Sequence, residues 1–149
     1  MTFKQKIHQY YSRMLEDRID AFRDMILALT EDSKNDAKGS AGDKHETALS
    51  MMHLEQEKFN TKLREVLDQK AILDKINPEI SSKSITLGSL VKANGIYLYV
   101  SLALPKINIE GINVIALSPQ SPLGNKLMGN SIGFTFEING TKYLIEEVA

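Results

Sequence analysis

Two acidic side chains, Asp43 and Glu46, stand three residues apart directly after a small-residue stretch, Lys38-Gly39-Ser40-Ala41-Gly42. On a helix that spacing places both carboxylates on one face, one turn apart. Such a pair offers hard oxygen ligands to a cation like magnesium, which takes about six oxygens in octahedral geometry and keeps several waters. Two carboxylates are part of such a site and not the whole of it, so the remaining ligands have to come from elsewhere. The same spacing also suits a purely structural use. Asp43 can cap a helix and Glu46 can complete the capping pair, both favoured by the positive end of the helix dipole. The two uses are compatible.

The elements around these acids give them a place. Tyr11, Leu15, Ile19, Phe22, Ile26 and Leu29 recur at steps of four, four, three, four and three and predict one apolar helix face, opened by a Thr2–Gln5 capping box. After the glycine break, Leu49, Met52, Gln56, Phe59, Leu63, Val66, Lys70 and Leu73 recur at alternating steps of three and four in a second helix. Asn77-Pro78 ends it, since the residue before a proline disfavours helix. Residues 1–77 are thus expected to form an antiparallel two-helix coiled coil with an acidic tip near 39–46.

Residues 78–149 carry a different pattern. The runs Ile96–Leu104, Ile112–Leu117, Phe134–Ile138 and Lys142–Glu146 read as strands, with a further short strand between Ile85 and Val91. The last two of the four runs flank Asn139-Gly140, a strong hairpin turn signal. Ser121-Pro122 opens one short helix, with serine as cap and proline at the first helical position. The expectation is an α+β protein: a helical hairpin followed by a small antiparallel sheet crossed by one short helix.

Composition narrows the functional classes. The 149 residues contain no cysteine, which excludes disulfides, thiolate nucleophiles and cysteine-based zinc sites. Net charge is −1, far from the basic balance that free nucleic-acid binding demands. Of the charged residues, 13 Lys/Arg and 14 Asp/Glu fall in residues 1–75, and five of each sign in the remainder, as suits a solvated arm joined to a compact unit. No run of about 20 apolar residues is present to span a membrane. The first residues lack a signal-peptide core, so a cytoplasmic location is expected. His45 and His53, eight residues apart on one helix, stand about 12 Å apart and cannot share an ion.

The segment Ser118-Pro119-Gln120-Ser121-Pro122-Leu123-Gly124-Asn125-Lys126-Leu127-Met128-Gly129, with Gly133 beyond it, resembles the C-terminal signature of the bacterial Gre transcript-cleavage factors. Gly42-Asp43-Lys44-His45-Glu46 is similar to the tip sequence of the same family, and the order of coiled coil then globular unit agrees. The resemblance implies an FKBP-like globular domain at 78–149 that docks on bacterial RNA polymerase, with Ser121 and Pro122 as docking residues. It implies a transcription elongation factor whose coiled coil enters the polymerase secondary channel. There Asp43 and Glu46 would help hold a shared magnesium ion and stimulate the polymerase's own cleavage of backtracked RNA. The chain would not be an enzyme alone, would bind no cofactor alone, and would meet the RNA 3′ end only within the polymerase complex. Glu46 is followed here by Thr47-Ala48-Leu49-Ser50-Met51-Met52-His53, where family members commonly carry an asparagine, then a tyrosine and basic residues. That departure keeps open a secondary-channel modulator that does not cleave. A peptidyl-prolyl isomerase or chaperone, and a coiled-coil adaptor, are the readings from other classes.

Overall fold

The computed structural model describes residues 1–38 and 43–149, and the Gly39–Gly42 stretch lies outside the described residues. The architecture is α+β. Helices α1 (Phe3–Lys38) and α2 (Asp43–Asp74) precede strands β1 (Leu90–Ala93), β2 (Ile96–Val100), β3 (Leu104–Ile109) and β4 (Ile112–Leu117), helix α3 (Pro122–Leu127), and strands β5 (Thr135–Ile138) and β6 (Thr141–Val148). By packing, the chain divides into two compact units. Arg13–Lys70 forms one, and Met1–Ser12 with Ala71–Ala149 forms the other. Both divisions fall inside helices. Among the described residues no helix is long and apolar enough to cross a membrane.

The Arg13–Lys70 unit is an antiparallel helix pair. Its pairing is fixed by contacts whose residue numbers run in opposite directions. Lys70 Nζ lies 3.7 Å from Glu16. The Phe22 and Phe59 rings pack with centroids 6.1 Å apart. Gln56 Nε2 donates to Thr30 Oγ1 at 2.9 Å, and Thr30 donates onward to Ile26 O at 2.9 Å. Leu15, Ile19 and Val66 are buried in this seam, while Phe22, Ile26, Leu29, Leu63, Phe59, Met52 and Leu49 are half-buried. Two helices alone leave one side of each seam residue open, so van der Waals packing is partial along much of the pair. A polar pair such as Gln56–Thr30 favours this register, because a slip would break the interhelical bond and leave the half-buried Gln56 amide without it. Met51, beside the seam, is 63% exposed.

The second unit is built on a six-stranded sheet in the order β3-β4-β2-β1-β6-β5. The expected all-antiparallel sheet is in fact mixed, because β2 and β4 run parallel. The expected continuous strand 96–104 breaks at Ser101–Ala103. The chain then skips one strand position, forms β3 at the edge, and turns back through Glu110-Gly111 to insert β4 beside β2. Neighbouring strands are about 4.8 Å apart, so three residues suffice for that step. The sequence reading also missed β3. It contains Pro105, which an edge strand tolerates because its outward side needs no N–H donor. The short strand expected between Ile85 and Val91 lies later, at Leu90–Ala93.

Strand β2 shows how this unit is filled. Leu98 and Val100 point into a core shared with Ile85, Val91, Ala93, Leu117, Leu127 and Ile145. Tyr97 and Tyr99, one residue out of phase, point to the other face. The first turns of α1 meet them there. Phe3 packs edge-on against Tyr97 at 5.3 Å, and His8 Nδ1 hydrogen-bonds the Tyr99 hydroxyl at 2.7 Å. Tyr11, fully buried, donates its hydroxyl to Pro105 O at 2.8 Å. The capping box forms as expected: Thr2 N donates to Gln5 Oε1 at 2.8 Å, and Gln5 N to Thr2 Oγ1 at 3.1 Å.

These buried phenols carry a pH consequence. Burial, reinforced by neighbouring Tyr10, pushes the Tyr11 phenol up to about 12 from 10.0, and burial raises Tyr99 as well. An acid whose pKa is raised by folding favours the folded state while it stays protonated. The contribution is therefore whole below about pH 10 and is lost as pH climbs through 12. Melting temperature should fall steeply over that window. Tyr11→Phe should cost about 1 kcal/mol at neutral pH through the lost bond to Pro105, yet show a shallower alkaline limb. An equally steep limb in the variant would assign the alkaline loss to other groups.

Candidate functional site

The two acids singled out by sequence fall in the first turn of α2. Asp43 begins the helix, and its side chain lies outside the described residues, as do those of Lys38, Lys44 and His45. Glu46 is exposed, and its carboxylate makes no ion pair with another described residue. Two residues further, Ala48 and Leu49 turn half-buried into the seam. Glu46 precedes Leu49 by three residues and so flanks the seam face, with its side chain still exposed. His53 is exposed. Among the described residues no three His, Asp or Glu side chains gather closely enough to hold a metal ion. The oxygen donor of Glu46 suits magnesium chemically, but it supplies one ligand where about six are needed.

The second sequence-singled region, Ser118–Gly133, has a geometry that explains its two paired serines, Pro122, Leu123, Gly124, Leu127 and Gly129. Ser118 Oγ accepts from Gln120 N at 3.1 Å and donates to the Gln120 side chain at 2.6 Å, closing a tight turn. Ser121 caps α3. Its hydroxyl accepts from Gly124 N at 3.0 Å and donates to Ser118 O at 2.7 Å. Pro122 occupies the start of the helix, where its missing N–H costs nothing. Leu127 is fully buried in the core, and Leu123 packs against it. Gly124 sits so close to the Ser118–Pro119 backbone that no other residue fits. Gly129, at φ +80°, reverses the chain and donates its N–H to Ile85 O at 2.8 Å.

Ser121 is therefore half-buried, and its hydroxyl is committed within the fold. Pro122 is exposed, together with Gln120, Asn125, Lys126 and Met128, and these form the surface that the loop offers. Sequence reasoning passed over Ser118, although the Ser-x-x-Ser spacing carried the signal: the first serine builds the turn that the second locks. Ser121→Ala should cost about 1 kcal/mol of stability, the usual loss of a helix cap, measurable by urea denaturation. An unchanged midpoint would mean that water replaces the cap without loss.

At the β5 edge of the sheet the Phe134, Phe136 and Tyr143 rings stack in series, at 6.1 Å and 5.1 Å between centroids. A cavity of about 490 Å³ opens beside them, lined by Asn94, Thr135, Phe136, Glu137, Lys142, Tyr143 and Leu144. Phe136 and Tyr143 pack on the core, so the stack serves the sheet first.

The fold and these two regions define an α+β protein that couples a long helical hairpin to a mixed sheet. Compared with known protein families, the chain matches no family model. Among curated proteins it finds no match.

Proposed function

We propose that the chain is a Gre-like regulator of bacterial RNA polymerase, working in the cytoplasm through the polymerase secondary channel. In this reading residues 1–77 are the channel-entering hairpin and residues 78–149 an FKBP-like docking domain. The hairpin presents Asp43 and Glu46 to the active centre, and the loop carrying Ser121 and Pro122 contributes to docking. The polymerase performs the RNA hydrolysis, and this chain lends it carboxylates. The observation that carries the reading is the self-packed Arg13–Lys70 hairpin, in which Glu46 lies near the reversal, exposed and without an ion pair to another described residue.

A carboxylate kept in water binds a hard cation weakly by itself and gains strength where a partner supplies further oxygens. Asp43 and Glu46 would add oxygen ligands to a magnesium ion held chiefly by the polymerase, and that ion supplies Lewis-acid stabilisation and an activated water. The role of the chain is to place those oxygens. Its exposed acid and rigid helical support suit that task.

A second reading keeps the partner and drops cleavage. It is favoured by the stretch after Glu46, where Ala48 and Leu49 face the seam and His53 is the first residue that could carry positive charge. Adding the chain to stalled polymerase complexes separates the two. Release of short RNA supports cleavage, and binding with altered elongation but no release supports the modulator.

A further inference from the structure

We infer that the sheet-bearing unit holds a binding site for a phosphate-type oxyanion, built around the buried amine of Lys4. This site lies outside the reading above and stands or falls separately from it. Lys4 is only 4% exposed. Its ammonium offers three donors, and the fold supplies one acceptor, Ile80 O at 2.7 Å. Among the described residues no carboxylate pairs with it. Burial pushes its pKa below the ordinary lysine value. A charge withdrawn from water without a counter-ion is costly and is relieved by an anion.

The surroundings supply the room and the chemistry. Lys4 lines a cavity of about 240 Å³ together with Lys75, Asn77, Ser82, Thr86 and Ser89. That wall carries two amines, three hydroxyls and an amide, and no acid. At about 30 Å³ per water, the space equals roughly eight waters, enough for a phosphate or pyrophosphate with part of its hydration. The acids of this neighbourhood, Glu79, Glu110 and Glu147, line a second cavity that Lys4 also borders, and Glu110 is engaged by Lys6 at 2.7 Å. Gly88, at φ +94°, lets the backbone turn at the wall with its α-carbon facing Ile76, where a side chain would not fit. Ser89 Oγ and Asn77 Oδ1 accept from the backbone N–H groups of Thr86 and Glu79, which leaves the serine O–H and the amide NH2 as donors beside the two amines, and such a donor-rich lining suits a tetrahedral oxyanion with many acceptors.

The test is a titration of the full chain with inorganic phosphate, then pyrophosphate, at constant ionic strength, followed by backbone amide NMR. Acetate serves as the carboxylate arm. Saturable shifts confined to residues 75–89 and the first turn of α1 are expected, stronger for pyrophosphate than for phosphate and weak for acetate. Lys4→Met should weaken binding by about tenfold or more, the scale of one charge-assisted hydrogen bond. Lys75→Gln, at an exposed position, should weaken it by about threefold and tests the cavity should Lys4→Met fail to fold. Linear, unsaturated shifts overturn the inference. So does equal binding by wild type and Lys75→Gln where Lys4→Met does not fold, or by wild type and Lys4→Met where it does.

Discussion

Replacing Asp43 and Glu46 together by alanine is expected to abolish stimulated RNA release from backtracked polymerase while leaving polymerase binding intact. The loss should reach about 100-fold or more, since groups that hold or orient a catalytic metal commonly cost 10–100-fold each. The structural cost of the same change is small. Both residues sit in the first turn of α2, where each acid gains about 0.3–1 kcal/mol from the helix dipole. A modest drop in melting temperature beside a complete loss of activity would separate the two roles. Asp43→Asn with Glu46→Gln sharpens the test, because the amides keep size and polarity and remove the charge. Release at the wild-type rate by either double variant would remove both residues from the mechanism.

The second large effect is expected within the sheet-bearing unit. Gly124→Ala would place a Cβ against the Ser118 carbonyl oxygen, with Pro119 C and Cα each at 2.9 Å. These are backbone atoms and cannot swing aside. To accept the methyl group, α3 must shift away from the Ser118 turn. That shift would break both bonds of Ser121 and withdraw Leu127 from the core. Overpacking of this kind costs about 1–3 kcal/mol, and loss of the cap adds about 1. The chain should therefore melt about 6–12 °C lower. Calorimetry of the full chain checks this, and a change below about 1 °C would mean that the loop relaxes at no cost. The glycine of the signature is thus a packing requirement.

What could be read from sequence was whatever short-range physics dictates. The steps of three and four along both helices, the Thr2–Gln5 box, the Ser121-Pro122 cap and the Asn139-Gly140 turn each state their conformation within a few residues. The last of these has positive φ at both positions, 51° and 81°. What stayed hidden depends on distant partners. β3 hides behind Pro105 and Lys106, whose types argue against a strand until the edge position is known. The parallel pairing of β2 with β4 follows from where β3 goes, which no local pattern reveals. Phe3, Ile7 and Tyr11 look like ordinary hairpin residues, yet they pack with the sheet-bearing unit, so an assay on residues 78–149 alone would strip one face of the sheet. Lys4 looks like a solvated charge beside Phe3, yet it is buried and its amine donates to Ile80 O, 76 residues away.

The candidate site was legible in part for the same reason. Spacing put Asp43 and Glu46 in one helical turn, and the helix bears that out. Ser121 drew notice as a docking residue, and its hydroxyl is spent on the loop. Pro122 keeps an outward surface.

The most direct measurement adds the purified chain and magnesium to stalled, backtracked bacterial RNA polymerase complexes carrying 3′-labelled RNA. The account predicts that the chain binds the complexes and that short labelled 3′ fragments appear well above the rate without it. Complexes that neither retain the chain nor release fragments would contradict it.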